Sequence, residues 1–387
     1  MYYHRLIEDQ IVRSIQHNPV TAIVGPRQCG KSTLARYVSA NYIDKETVYL
    51  DLERPSDLRK LENPEWFLSH QRGKLVCLDE IQRKPELFPL IRSLTDEWGG
   101  NGHFLVLGSA SRDLLLQSSE SLAGRITYQT LTPFLFEEIK EHYSVEEYMV
   151  KGGFPRSLLQ KDIGVSYQWR EDFITTFLER DLLQWYGFST YTMRKLWQML
   201  AHLNGQTVNY NQLAASLSVS NPTVKNYTEL LAATYMLRLV KPYLPNINKR
   251  LVKSPKVYLS DTGILNALLG IENFEQLTGH PGSGSIWETL VLMNIHGLYP
   301  QADIYFYRTG HGAEVDFIMQ YKAKTIALEC KLGMAPKLSK GNFIAMEDTG
   351  ALYTFVVAPV KSGWKVQSNI EVVNLSELKQ ALTEFFG

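Results

Sequence analysis

Apolar residues in the first third of the chain come in short runs, and helical patterns lie between them. Residues 20–24 form an apolar run that stops at Gly25-Pro26, which predicts a strand and a turn, with a helix over about 31–40. A short helix is expected at 11–16, and further strands at 48–52, 74–78 and 103–107. Two of these end in chemistry, at Asp79-Glu80 and Gly108-Ser109, and residues 85–98 read as helix. Strands alternating with helices over about 130 residues predict a parallel sheet covered on both faces.

Beyond Pro133 the alternation stops. Residues 134–197 carry aromatic and leucine side chains at helical spacing and read as a helical lid or connector. Short helices follow from 203, then strands near 238–244 and 251–259. Gly279-His280-Pro281-Gly282-Ser283-Gly284-Ser285 reads as a linker or flexible loop. A last α/β segment has strands near 304–307, 315–319, 325–330 and 352–357. The domains expected are therefore 1–135, 136–200, 201–278 and 279–387.

Acidic and basic residues number 40 each, so the formal net charge is zero, and nucleic acid would have to be held by local basic patches. Cys29, Cys77 and Cys330 form no paired motif, which argues against a disulfide framework or zinc site and fits a reducing cytosol. The N-terminus lacks the apolar stretch of a secretory signal, and no uncharged run approaches the ~20 residues of a membrane span. The expected location is cytoplasmic, with no membrane partner.

Gly25-Pro26-Arg27-Gln28-Cys29-Gly30-Lys31-Ser32, followed by Thr33, fits the phosphate-loop pattern in full. Glycines let main-chain N–H groups curl around phosphates at a helix N-terminus. Lys31 supplies a cation for the β- and γ-phosphates, and the Ser32 hydroxyl a magnesium ligand, so ATP and Mg²⁺ are the expected cofactors. Asp79 and Glu80, at a strand end, are placed to hold magnesium and to activate the attacking water. Acids at a strand end also simply meet solvent. Ser109 is placed to sense the γ-phosphate or the water, or else to cap a following helix. Arg125 is a candidate arginine finger, in its own subunit or a neighbour's, or a surface arginine.

These residues carry a resemblance. The loop, Leu78-Asp79-Glu80-Ile81-Gln82, Gly108-Ser109-Ala110-Ser111, Ala123-Gly124-Arg125, Leu131-Thr132-Pro133, Gly152-Gly153-Phe154-Pro155, Glu314-Val315-Asp316-Phe317 and Glu329-Cys330-Lys331 together resemble the AAA-type ATPases that carry a DUF4143 region. The resemblance spans nearly the whole chain; Cys29 and Cys330 stand where such sequences more often have valine. It implies an α/β fold: an AAA-like P-loop core with a helical lid, a winged-helix middle and a restriction-endonuclease-like C-terminal domain.

In the middle segment, 210–217 and 221 onward read as two helices joined by Ser218-Val219-Ser220, with Pro222 in the first turn of the second. Val224, Tyr227, Leu230 and Leu231 form its buried stripe, leaving Thr223, Lys225, Asn226 and Glu229 outward, as in a DNA-reading helix. Lys249, Arg250 and Lys253 would form a basic wing. The same unit also serves protein contacts.

Near the C-terminus, a hairpin centred between Lys322 and Ala323 sets Asp316 opposite Glu329 and Glu314 opposite Lys331. Strict alternation then puts these four on one face, with Val315, Phe317, Leu328 and Cys330 on the other. Opposed carboxylates call for a divalent cation between them, and Lys331 would position water or stabilise developing charge. A solvated salt-bridge face is the plain alternative. The segment resembles the PD-(D/E)xK nucleases, which implies metal ligands Asp316, Glu329 and the helix residue Glu288. The resulting expectation is an ATP-hydrolysing, DNA-associated ATPase with a nuclease-like tail, as a homo-oligomer or with a protein partner. The alternative is a nucleotide-controlled regulatory scaffold without nuclease activity.

Overall fold

A computed structural model describes residues 2–109, 121–182, 189–244 and 252–387, without the side chains of 109 and 180–182. The chain divides into two compact units, residues 1–134 with 233–235, and 135–232 with 236–387.

In the first unit β1 (Val20–Gly25), β2 (Thr47–Asp51), β3 (Leu75–Asp79), β4 (Phe104–Ser109) and β5 (Ile126–Thr130) form a sheet in the order β2-β3-β4-β1-β5. Every pairing is parallel. Alternation along β1 shows why both faces are covered. Val20, Ala22 and Val24 pack with Phe88, Ile91 and Trp98 of the helix Leu87–Trp98. Ile23 packs with Ile11 and Ile15 of Glu8–His17, and with Leu34 and Val38 of Lys31–Tyr42. Because all five strands run the same way, Gly25, Asp51, Asp79 and Ser109 end at one edge. Register sets Gly25 opposite Ser109, and Asp51 opposite Asp79. β5 has no counterpart in the sequence reading; all of its residues are half-buried, so it lacks an apolar run.

The second unit opens with helices, among them Val145–Lys151, Ile163–Thr176 and Thr190–His202. Gly152 and Gly153 dock on a buried carboxylate: Gly153 N–H donates to Asp261 Oδ2 at 2.7 Å. A Cβ on Gly152 would stand 2.2 Å from Asp261 Oδ1. Asp261 also caps the helix Thr262–Leu269 through Ile264 N–H at 3.0 Å. Beside it Arg170, fully buried, donates to the carbonyls of Val150 (2.7 Å) and Gly263 (3.2 Å). The helices Tyr210–Leu217 and Asn221–Ala233 follow, joined at Ser218, whose φ is 54°.

The remaining strands are β6 (Leu237–Pro242), β7 (Lys256–Leu259), β8 (Asp303–Arg308), β9 (Glu314–Tyr321), β10 (Lys324–Cys330), β11 (Tyr353–Val357), β12 (Trp364–Gln367) and β13 (Ile370–Val373). They form a mixed sheet in the order β12-β13-β11-β10-β9-β8-β6-β7.

The glycine- and serine-rich stretch 279–285 is no flexible linker. The helix Phe274–Gly279 ends there and Ser283–Leu298 begins four residues later. Small residues are needed for packing: a Cβ on Gly205 would come 2.9 Å from Ser285 Cβ, and Asn204 donates to the Ser285 carbonyl at 3.0 Å.

The β9–β10 hairpin has the predicted register, from Lys324–Tyr321 to Leu328–Phe317. Its two turn residues, Lys322 and Ala323, both have positive φ, 48° and 59°. Two-residue turns of this hand favour glycine, and a side chain there costs about 1 kcal/mol. Ala323→Gly is therefore expected to stabilise the chain by about 1 kcal/mol, read as a raised midpoint in urea unfolding. No helix among the described residues is long and apolar enough to cross a membrane.

Candidate functional site

The phosphate loop leaves β1 at Gly25, and a Cβ there would lie 2.1 Å from the Leu131 carbonyl oxygen. Only glycine allows that approach. Gln28 and Gly30 take positive φ, 61° and 103°, and turn the chain into the helix Lys31–Tyr42. Gly30 caps that helix without a side chain, so its first N–H groups are left to a ligand. Lys31, almost fully buried, folds back over the loop, its Nζ donating to the Gly25 (3.1 Å) and Pro26 (2.8 Å) carbonyls. Arg27 Nη2 lies 4.0 Å from Glu53, and Thr33 is exposed.

Arg5 holds the loop from behind. Its guanidinium donates to the carbonyls of Cys29 (3.3 Å), Thr132 (2.8 Å) and Pro133 (3.3 Å), and sits 4.6 Å from the Phe134 ring centre. Cys29 is wholly buried with its thiol toward the Leu131 carbonyl, and burial pushes that thiol's pKa up.

Two strands from the loop, β3 delivers Asp79. Its Oδ2 accepts from the Tyr49 hydroxyl, which also hydrogen-bonds the Ser32 side chain. Its Oδ1 is buried with no partner among the described residues. Burial, with Cys77 and Asp79 adding to it, raises the Tyr49 phenol. Arg36 stacks 3.5 Å over the Tyr49 ring. Glu80 stands next, in the left-handed region at φ 59° and ψ 46°, a conformation that an L side chain adopts only when its surroundings hold it. Burial raises its carboxyl, with Lys31 opposing, and it accepts from Gln82 Nε2.

A second polar cluster lies in the mixed sheet. Tyr305 pairs with Ile318, but Tyr307 pairs with Val315, so Asp316 and Phe317 together oppose Phe306 as a β-bulge. Val315 and Ile318 then share one cluster with Ala345 and Met346. Asp316 and Phe317 take the other side, where the Phe317 ring meets Tyr258 and Asp316 acts on Glu288. The expectation that Phe317 faces away from Asp316 fails for this reason. Asp316 Oδ2 accepts from Cys330 N–H at 2.8 Å, and Glu288 Oε2 from the Tyr258 hydroxyl at 2.6 Å. Glu329 pairs with Lys331 at 2.6 Å. Burial, with Asp316 adding to it, pushes Glu288 up to about 8 and Glu329 up to about 7.

Known proteins share this arrangement of segments. Family models described as AAA domain, DUF8612 and DUF4143 match residues 17–140, 142–275 and 283–378. Uncharacterized proteins of Mycobacterium tuberculosis and Mycobacterium bovis are each 35% identical over 367 residues, covering 95% of this chain and 82% of theirs. The chain belongs to the AAA-type P-loop ATPase family that carries a DUF4143 region. Among solved structures, a RuvB variant of Thermotoga maritima is 19% identical, with 60% of this chain and 86% of that one aligned, at a TM-score of 0.27. A STAND ATPase with a tetratricopeptide repeat sensor, from Pyrococcus horikoshii, is 11% identical over 78% of this chain and 46% of its own, at a TM-score of 0.29. Scores this low carry no argument, and the fold rests on the strand order above.

Within this AAA-type chain the structure sorts the predicted site residues. Lys31, Ser32, Asp79 and Glu80 converge at the carboxyl edge of the sheet. Ser109 belongs there by register, its side chain being outside the described set. Arg125 does not converge. Its carbonyl accepts from Val20 N–H at the start of β1, roughly 16 Å of strand from Gly25. Its guanidinium is held by Asp96 at 2.6 and 3.0 Å, so a finger role in its own subunit is excluded. In the middle segment Val224, Tyr227, Leu230 and Leu231 are buried, while Lys225, Asn226 and Glu229 are exposed. Lys249 and Arg250 lie outside the described residues; Lys253 is exposed.

The C-terminal metal set does not form as expected. Among the described residues no group of three or more His, Cys, Asp or Glu is placed to hold a metal ion. Glu288, Asp316 and Glu329 are neighbours, but Glu329 is paired with Lys331, and another lysine, Lys256, pairs with Glu314 and acts electrostatically on Glu288 and Asp316. Tyr49, Lys256 and Tyr258 are the site residues that the sequence reading missed. Lysine in an otherwise apolar strand, Lys256-Val257-Tyr258-Leu259, was the available signal.

Proposed function

We propose that this chain hydrolyses ATP at the loop from Gly25 to Thr33 and uses the cycle to act on DNA. The observation that carries the first half is the Lys31 ammonium resting on its own loop carbonyls, beside helix N–H groups that the Gly30 cap leaves open. Lys31 then exchanges those carbonyls for the phosphates. The orphaned Asp79 Oδ1 and the Ser32 hydroxyl fit magnesium, which when bound neutralises phosphate charge. Glu80 accepts a proton from the attacking water, its raised pKa suiting it as a base. The Ser109 backbone ends the neighbouring strand opposite Gly25, and in this reading Ser109 senses the γ-phosphate. Arg125 enters only as a residue offered to a second copy of the chain.

The second half rests on the exposed Lys225 and Asn226 of the helix Asn221–Ala233, read as the DNA-facing helix of a winged-helix unit. The test is ATP turnover of the full chain, with and without duplex DNA, at low salt. Stimulation that fades with added salt supports the proposal. Turnover without stimulation or DNA binding defeats the DNA half and leaves the scaffold reading, which Glu229 on the same exposed face favours.

Tyr49 gives a sharper check on the magnesium site. Its hydroxyl bridges Ser32 and Asp79 Oδ2, so it competes with a cation for both side chains even though Oδ1 stays open. Removing one such hydrogen bond is worth about 0.5–1.5 kcal/mol, so Tyr49→Phe is expected to lower the magnesium concentration for half-maximal turnover by about 2- to 10-fold. The maximal rate should hardly change. Magnesium titration of ATP turnover reads both quantities.

A further inference from the structure

β7 presents four buried residues in a row, and the first is a lysine. A strand buried on both faces ordinarily reads as an apolar run. Lys256 is 2% exposed, and a charge at that depth persists only with charges of opposite sign around it. The surroundings supply them. Lys256 Nζ is 2.8 Å from Glu314 Oε1, and Glu288 and Asp316 both act on it electrostatically. Its ammonium also lies 5.4 Å from the Phe306 ring centre, the residue opposite the bulge that turns Asp316 inward. Tyr258, two positions on and so on the same face of β7, donates to Glu288 at 2.6 Å.

The remaining charges are matched in the same way. Lys331 takes Glu329 at 2.6 Å, and Arg308 lies 3.6 Å from Glu314. Four carboxylates thus meet three cations belonging to the chain itself. The repulsion that called for a divalent ion in the sequence is answered by side chains from β7, β8 and the residue that follows β10.

We propose that Lys256 is the resident counter-ion of the C-terminal carboxylate cluster, standing where a divalent metal was expected. The native chain then holds no divalent cation at this site. Deleting the ammonium leaves Glu288 and Asp316 without their counter-ion and Glu314 with Arg308 alone, and the vacated space takes a metal with oxygen ligands. The inference is independent of the ATP site, and the experiment is run without nucleotide.

Manganese binding to the full chain is measured by calorimetry and by the spin-resonance signal of free Mn²⁺. Four forms are compared: native, Asp316→Asn, Lys256→Ala, and the two substitutions together. The expected result is equal, weak Mn²⁺ uptake by native and Asp316→Asn chains. Lys256→Ala should gain a site at least about 10-fold tighter, lost again in the double variant, with Mn²⁺ raising its melting temperature. Native binding that Asp316→Asn abolishes would overturn the proposal, as would a folded Lys256→Ala chain that gains no site. Should Lys256→Ala fail to fold, Lys256→Gln keeps the side-chain length and is judged by the same gain. The comparison of native with Asp316→Asn decides independently of either.

Discussion

Glu80→Gln is expected to cut ATP turnover by about 100- to 10,000-fold, the usual worth of a positioned general base, while ATP still binds. The substitution separates chemistry from structure unusually well. Glu80 sits at φ 59° and ψ 46°, and glutamine meets the same backbone penalty, so the strain is unchanged. Gln82 Nε2 donates to the carboxyl now and can donate to the amide oxygen of the variant. What disappears is the ability to take a proton. The carboxyl is raised by burial, and Lys31 keeps it from rising further, a balance that places its basicity closer to working pH. Single-turnover hydrolysis, with a fluorescent nucleotide for binding, measures both effects. Undiminished turnover would remove Glu80 from the mechanism and move attention to Ser109.

The second large effect concerns folding. Asp261→Ala is expected to destabilise the second unit by about 2–6 kcal/mol, because two buried N–H donors lose their acceptor at about 1–3 kcal/mol each. The carboxylate accepts from Gly153 and Ile264 N–H groups and interacts electrostatically with the buried Arg170 guanidinium, with no direct hydrogen bond between them among the described residues. Alanine leaves those donors unpaired and the Arg170 charge without its counterpart, although Arg170 keeps the Val150 and Gly263 carbonyls. Native domains are stable by about 5–15 kcal/mol, so the loss should appear as a large fall in denaturation midpoint. A change below about 1 kcal/mol would mean that the carboxylate adds little beyond the apolar packing around it.

What the sequence disclosed follows from how local each signal was. The four strands bearing apolar runs were legible, and so was the phosphate loop, because its chemistry is contiguous. The β9–β10 register was legible because a two-residue turn sets every pair. β5 escaped because its apolar face is only Ile126 and Tyr128, too short and too polar a run to stand out, and β12 because all four of its residues are exposed. The serine-glycine stretch before Ile286 misled because composition cannot show that Gly205 and Asn204 pack against it. The bulge at Asp316 and Phe317 depends on pairing with β8, a partner that strict alternation ignores. Tyr49 and Lys256 reach their sites only through tertiary folding, across 30 residues to Asp79 and 58 to Glu314 respectively.

Arg5 gives the nucleotide loop a support from outside its own motif. One guanidinium fastens the Cys29 carbonyl to those of Thr132 and Pro133, so the stiffness of the cradle is set partly by the first few amino acids. Trimming the chain to start at Leu6 would remove that brace while leaving every phosphate-contacting residue in place. A bulky fusion that pulled Tyr2 to Arg5 away would act in the same manner. Weak nucleotide affinity in such a preparation would then report a slackened cradle rather than a missing ligand.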